Sequence, residues 1–230
     1  MFHTSIWPDA RRVRVYAGWA AVTGVAFFAI YPTLNWLTSL RANRLHLYLD
    51  LELGIPFVPE LIWAYFSMYF LFLVPLFVLP TERMAPLGKQ LVAGTVVSGA
   101  MFLVLPAELG FVRVIPSDPL YARIYASILG VDQPHNLVPS LHVVWSCAIV
   151  LACADAARPP GRALLYLWLA ILVASTVLVH QHHVLDAISA ILLVTVLRRC
   201  YGGPNAYLRS CRHSADHAVD RAADLGCGRA

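Results

Sequence analysis

The chain has 230 residues, of which 59% are hydrophobic and only 13% charged, and its formal net charge is +4. Mean hydropathy is +0.66, and the apolar residues come in long blocks, which excludes an ordinary soluble domain and points to an integral membrane protein. The mild excess of Lys and Arg flanks those blocks, so it reads as a topology signal and excludes a nucleic-acid surface.

Residues 1–14 carry Arg11, Arg12 and Arg14. The apolar run over 15–31 ends on no small-residue cleavage site, so it predicts a retained transmembrane helix and not a removed signal peptide. Leu45, Leu47, Leu49, Leu51 and Leu53 alternate at strand period. A lone strand has no partner, so a short interfacial segment is expected, with Asp50 and Glu52 lining an entrance. A second span is predicted over 60–79, kinked at Pro75, with Tyr65 among aromatics that face lipid or core. The third covers 91–105, where Gly94, Ser98, Gly99 and Ala100 permit close helix packing. The longest loop, 106–137, holds Glu108, Arg113, Asp118, Arg123, Asp132 and His135. Three further spans are predicted over 141–156, 163–179 and 184–197. From residue 198 the chain is polar and aperiodic, which predicts a frayed helix or a disordered tail. The domain reading is a six-helix transmembrane bundle over 1–200 followed by a flexible cytoplasmic tail over 201–230. The fold class is all-α.

Six spans put both termini on one side. That side carries Arg11, Arg12, Arg14, Arg83, Lys89, Arg158, Arg162, Arg198 and Arg199, whereas the other has Arg41, Arg44, Arg113 and Arg123. The asymmetry predicts cytoplasmic termini in a multi-pass protein of the cell membrane, with the 106–137 and 180–183 loops at the periplasmic or extracellular face. Five cysteines show no disulfide-framework spacing. Cys200, Cys211, His213 and Cys227 are too irregularly spaced to predict a zinc site.

The chemistry concentrates where two apolar runs meet. His182 and Asp186 are four residues apart, so they share a helix face one turn apart. A carboxylate beside an imidazole selects its tautomer and stabilises its cation, leaving the other nitrogen free to attack. Pro139-Ser140-Leu141-His142 opens another apolar run at the same face. Ser140 suits an N-cap and can donate to phosphate. Arg113 supplies a guanidinium fork for phosphate oxygens, and Glu108 is a candidate partner for it. Nucleophile, acid and anion clamp are the parts that phosphoryl transfer requires. His180, His182 and His183 do not converge on one helix face, so no metal is expected. A proton-coupled transporter would place charges at mid-span, and a haem protein would face its histidines across the bundle. The sequence shows neither pattern.

Pro-Ser-Leu-His, followed some forty residues later by Ser175-Thr176-x5-His182-x3-Asp186, resembles the type 2 phosphatidic acid phosphatase superfamily. That family's pattern is Lys-x6-Arg-Pro, then Pro-Ser-Gly-His, then Ser-Arg-x5-His-x3-Asp. The resemblance covers roughly residues 91–197. It implies a six-helix membrane bundle and a cofactor-free, metal-independent reaction through a phosphohistidine. By position it implies His182 as nucleophile, Asp186 as its orienting partner and His142 as general acid. Ser140, Ser175 and Thr176, with Arg113, His183 and Glu108, would then meet the substrate. Leu141 stands where the family has Gly, Thr176 where it has Arg, and no Lys-x6-Arg-Pro segment occurs. Pro-Ser-Leu-His is also similar to the inositol phosphorylceramide synthase branch, which passes the phosphoryl headgroup to a lipid alcohol. The implied partners are a membrane lipid phosphate and the bilayer, with no nucleic acid; the sequence does not specify an oligomeric state.

Overall fold

In the computed structural model, which describes residues 7–131 and 134–201, the helix over Leu141–Ala156 (α7) is apolar around its whole circumference. Such a helix suits the middle of a bundle or a lipid-facing span, and here it takes the middle. There Val143, Val144, Cys147, Ala148, Ile149, Val150, Cys153 and Ala154 are all buried.

Around α7 stand four long helices: Ala10–Ser39 (α1), Thr81–Val104 (α5), Pro159–Leu178 (α8) and Val184–Tyr201 (α9). Of these α5, α8 and α9 pack directly on α7, while α1 lies chiefly against α5. Gly99 makes the α1–α5 approach possible, since a Cβ there would sit 2.7 Å from both Ile30 Cγ2 and Leu34 Cδ1. Helices α1, α5 and α8 are long and apolar enough to cross a membrane; α7 is a shorter apolar helix. Among the described residues the fold is all-helical, without strands.

Three stretches differ from the sequence expectation. The span over 60–79 is not one kinked helix. It is three short pieces, Ile62–Phe66 (α2), Met68–Leu71 (α3) and Val74–Val78 (α4). Tight three-residue turns close the breaks, with Phe70 N–H donating to Ser67 O and Leu73 N–H to Phe70 O, each at 3.0 Å. Side chains from α1 satisfy carbonyls of this stretch: Tyr16 Oη donates to Phe72 O at the second break, at 2.8 Å, and Arg12 to Leu79 O at its end.

The loop over 106–137 contains a helix, Pro119–Val131 (α6). Asp118 caps it by accepting from Leu120 and Tyr121 N–H, with Pro119 at the first helical position. Tyr121, Ile124, Tyr125 and Ile128 form its apolar face, packed with Ile62, Tyr65 and Val179.

The leucine-alternating segment makes a single parallel bridge, Leu45 with Ala107, and then a 3-10 turn over Asp50–Gly54.

The helices place the histidines at 142, 180, 182 and 183 at one end and Arg162 and Arg198 at the other. The start of α7, the end of α8 and the start of α9 meet at one end. At the other, Arg198 pairs with Asp155 at 2.8 Å and Arg162 donates to Ala154 O at 3.0 Å. The predicted tail over 201–230 lies outside the described residues apart from Tyr201. Asp132, Cys211, His213 and Cys227 lie outside them too.

Candidate active site

The site is built on how α8 stops. Its C-cap is Val179, and His180 follows with a positive φ of 54°. His180 N–H then donates to Val177 O at 2.9 Å, and Gln181 N–H to Thr176 O at 3.1 Å. This pair of bonds is the Schellman closure, whose left-handed position usually takes glycine. Here the imidazole is held in place on the far side. Its Nε2 lies 3.0 Å from Ile55 O, so it carries the proton and donates, and its ring stacks on Phe111 with centroids 4.0 Å apart. The turn also lets His182 N–H reach Thr176 O at 3.0 Å, which fixes where the next side chain emerges.

Asp186 sits in the first turn of α9, buried to 1% exposure. One carboxylate oxygen accepts from His183 N–H at 2.8 Å and lies 3.1 Å from His182 Nδ1. A carboxylate only accepts, so Nδ1 carries the proton and Nε2 presents its lone pair. That Nε2 has no hydrogen-bond partner among the described residues. Ser140 caps α7 by accepting from Val143 N–H, and its own N–H donates to Asp186 O at 3.1 Å. The two sequence motifs are therefore joined by a direct bond. It brings the His142 and His182 rings to 6.0 Å between centroids. Tyr65, buried to 2%, stacks on His142 at 4.3 Å and sets its hydroxyl 3.2 Å from His142 Nδ1.

Beside this pair stands a second imidazole–carboxylate pair. His183 Nε2 accepts from Gly110 N–H at 3.1 Å, so its Nδ1 must carry the proton, and it donates to Glu52 Oε2 at 3.1 Å. Glu52 also accepts from Val184 N–H at 2.8 Å and from Leu49 N–H at 3.2 Å. The His183 ring lies between Tyr48 and Phe111, at 4.3 and 4.4 Å. Glycine at 110 leaves room for the Tyr48 ring, which a Cβ there would push away from its stack on His183. Burial holds the His183 pKa below the ordinary imidazole value, with Asp186 and Glu52 only partly opposing it. For Glu52, burial pushes the pKa up. The hydrogen bonds from Val184, Leu49 and His183 and the His183 charge outweigh it and hold the carboxyl below its usual range.

The chain matches no family model, no curated protein and no solved structure with which it was compared.

The structure brings His142, His182, Asp186 and Ser140 together. It assigns four other sequence candidates differently. His183 was expected to touch substrate, but both its ring nitrogens are engaged and it is 1% exposed; it braces the loop. Ser175 donates its hydroxyl to Leu172 O at 2.6 Å, and Thr176 to Val173 O at 2.8 Å. These donors satisfy their own helix, and it is the Thr176 carbonyl that shapes the site. Glu108 lies 3.2 Å from His46 Nδ1 and is not paired with Arg113. Arg113 is half-buried, two residues beyond Phe111 on the strap that braces His183.

Sequence reasoning missed Tyr65 and the full role of Glu52. The available signals were a phenol hydroxyl inside an apolar run, which needs a partner when buried, and an acidic residue in a leucine-rich segment. Among the described residues no three His, Cys, Asp or Glu side chains converge as a metal-ligand group. The three neighbouring histidines instead engage Ile55, Asp186 and Glu52.

Proposed function

We propose that the protein is a multi-pass membrane enzyme that hydrolyses a phosphomonoester or pyrophosphate of a lipid, of the phosphatidate, phosphatidylglycerol phosphate or polyprenyl pyrophosphate type, through a phosphohistidine on His182. The observation that carries this reading is the His182 ring. Its Nδ1 is 3.1 Å from Asp186 Oδ2, its Nε2 has no partner among the described residues, and a second imidazole lies 6.0 Å away. The motif resemblance to the type 2 phosphatidic acid phosphatases supports the same assignment. In this proposal α1, the broken α2–α4 stretch, α5, α7, α8 and α9 are six spans. The arginine end is cytoplasmic and the histidine end faces outward, where lipid headgroups are available.

The chemistry then runs as an in-line displacement. His182 Nε2 attacks phosphorus while Asp186 stabilises the imidazolium that forms at Nδ1. The bond from phosphorus to the lipid oxygen breaks, and its electron pair leaves on that oxygen. His142 delivers the proton to that oxygen as general acid. Neutral His142 next takes a proton from water as the water oxygen attacks the phosphohistidine. Phosphate departs and both imidazoles return to their starting states. Ser140 and Arg113 are the proposed anion clamp. A lipid alcohol in place of that water would make the enzyme a phosphotransferase of the inositol phosphorylceramide or sphingomyelin synthase type, which the Pro-Ser-Leu-His motif keeps in view.

The test is chemical trapping. Wild-type protein quenched during turnover of a radiolabelled lipid phosphate carries acid-labile, base-stable label, and His182→Ala carries none. Label that survives in the variant ends the nucleophile assignment. Offering diacylglycerol or ceramide alongside water then separates transferase from phosphatase by product.

A further inference from the structure

Beside the histidine end, the space between α1 and α7 is not filled by side chains. A cavity of about 660 Å³ opens there, and its wall includes His142 and Tyr65 but not His182. Apart from that corner the wall is almost wholly apolar, made by rings such as Phe27, Phe66 and Trp145. A second cavity of about 320 Å³ continues it along α1 toward Tyr16. The two share Phe27, Phe28, Tyr69 and Trp145, and the Phe27–Trp145 contact at 5.1 Å marks the junction. Along α1 the trough runs from Asn35 to Tyr16, roughly 28 Å at about 1.5 Å per residue. That nearly matches the hydrocarbon thickness of a bilayer, about 30 Å.

This inference rests on the proposed chemistry, which gives the trough a direction. In an in-line displacement the nucleophile and the leaving oxygen lie on opposite sides of phosphorus. The leaving oxygen is the one bonded to the lipid, and it must meet the general acid. Of the two cavities, the one that reaches the histidine end is walled by the acid, His142. We propose that the trough between α1 and α7 receives the hydrocarbon chain of the leaving alcohol, extended along α1, and that its depth selects for long-chain phosphate esters. Methylenes seated there exchange loose contacts with lipid for packing against the cavity walls. A chain that reaches beyond the Phe27–Trp145 junction therefore gains over one that stops short of it.

Gly24 lies in the wall of the far cavity, and a Cβ built on it meets nothing within 4 Å. Gly24→Phe therefore fills the far half without straining the helix. Gly18, also on α1 and also unobstructed, is exposed and outside both cavity walls, so Gly18→Phe is the control. Wild type is expected to hydrolyse hexadecyl phosphate with a higher kcat/KM than hexyl phosphate. Gly24→Phe should lower the hexadecyl value about tenfold while leaving hexyl phosphate and the Gly18→Phe protein unaffected.

An unchanged hexadecyl-to-hexyl ratio in Gly24→Phe, or an equal loss in Gly18→Phe, overturns the proposal and leaves the trough to bulk lipid. Binding is read separately in His182→Ala, which needs no turnover. Hexadecyl phosphate with a terminal diazirine should label peptides of α1 and α7, and added Gly24→Phe should abolish that label. Labelling with no hydrolysis by wild type removes the proposed chemistry and keeps the chain site. Hydrolysis with labelling elsewhere does the reverse.

Discussion

His182 and His183 are neighbours, and each has a carboxylate oxygen 3.1 Å from its Nδ1. Their second nitrogens differ. His183 Nε2 accepts the Gly110 N–H, and its faces are covered by Tyr48 and Phe111. His182 Nε2 has no such partner among the described residues, and the His142 ring lies 6.0 Å from its own. An imidazole beside a carboxylate therefore does not by itself mark a nucleophile. The pair at 183 closes a staple between the Asp50–Gly54 turn, the 110–111 strap and the start of α9. The pair at 182 leaves one lone pair unused, and on the proposed chemistry that lone pair attacks phosphorus.

The widest separation between the two pairs should come from alanine. His182→Ala is expected to lose at least about 10³-fold in turnover with little change in thermal midpoint. His183→Ala should lose activity and stability together, because Glu52 loses its ring donor, the half-buried Gly110 N–H loses its acceptor and the stack between Tyr48 and Phe111 is emptied. Equal midpoints for the two variants in detergent would erase the distinction. Next comes Asp186→Asn, which keeps the shape but no longer imposes the Nδ1–H tautomer on His182. Turnover should fall about 10²-fold or more, with KM nearly unchanged. Glu52→Gln is smaller: it weakens charge-assisted bonds to Val184, Leu49 and His183, costing about 2 kcal/mol and lowering the midpoint by about 5 °C.

Acid should act on the same staple. His183 has a lowered folded pKa, so below about pH 6.5 the unfolded chain takes up a proton that the folded ring does not. Glu52 has a depressed folded pKa, so its contribution is present above about pH 4.3 and is lost as pH falls through the folded value. Both signs make stability fall with pH. A midpoint that stays flat through this range in wild type, or falls equally steeply in Glu52→Gln, would detach the effect from this pair. The smallest change is expected at His180. Glycine there relieves the left-handed backbone but loses the Phe111 stack and the Ile55 bond, so His180→Gly should change stability by about 1 kcal/mol or less, read as the smallest midpoint shift of the set.

Legibility followed range. Asp118-Pro119 with Tyr121, Ile124, Tyr125 and Ile128 was a complete helix signal inside the stretch read as loop, and its signals were local. The break of 60–79 into three pieces was less visible, because Ser67 and Pro75 permit turns but do not require them. At the second break the freed Phe72 carbonyl is met by Tyr16, which comes from another helix. Ser175 and Thr176 show the opposite limit: a motif position names a residue but not which of its atoms is used, and here the Thr176 carbonyl is used.

By itself the sequence determined the all-helical character, the apolar blocks and the spacing that places Asp186 one turn from His182, since these depend on composition and on contacts within a few residues. The Ser140–Asp186 bond, Tyr65 on His142, Glu52 on His183 and the trough between α1 and α7 were decided only by tertiary structure. Each joins segments dozens of residues apart, and helix periodicity carries no information about which distant face a side chain will meet.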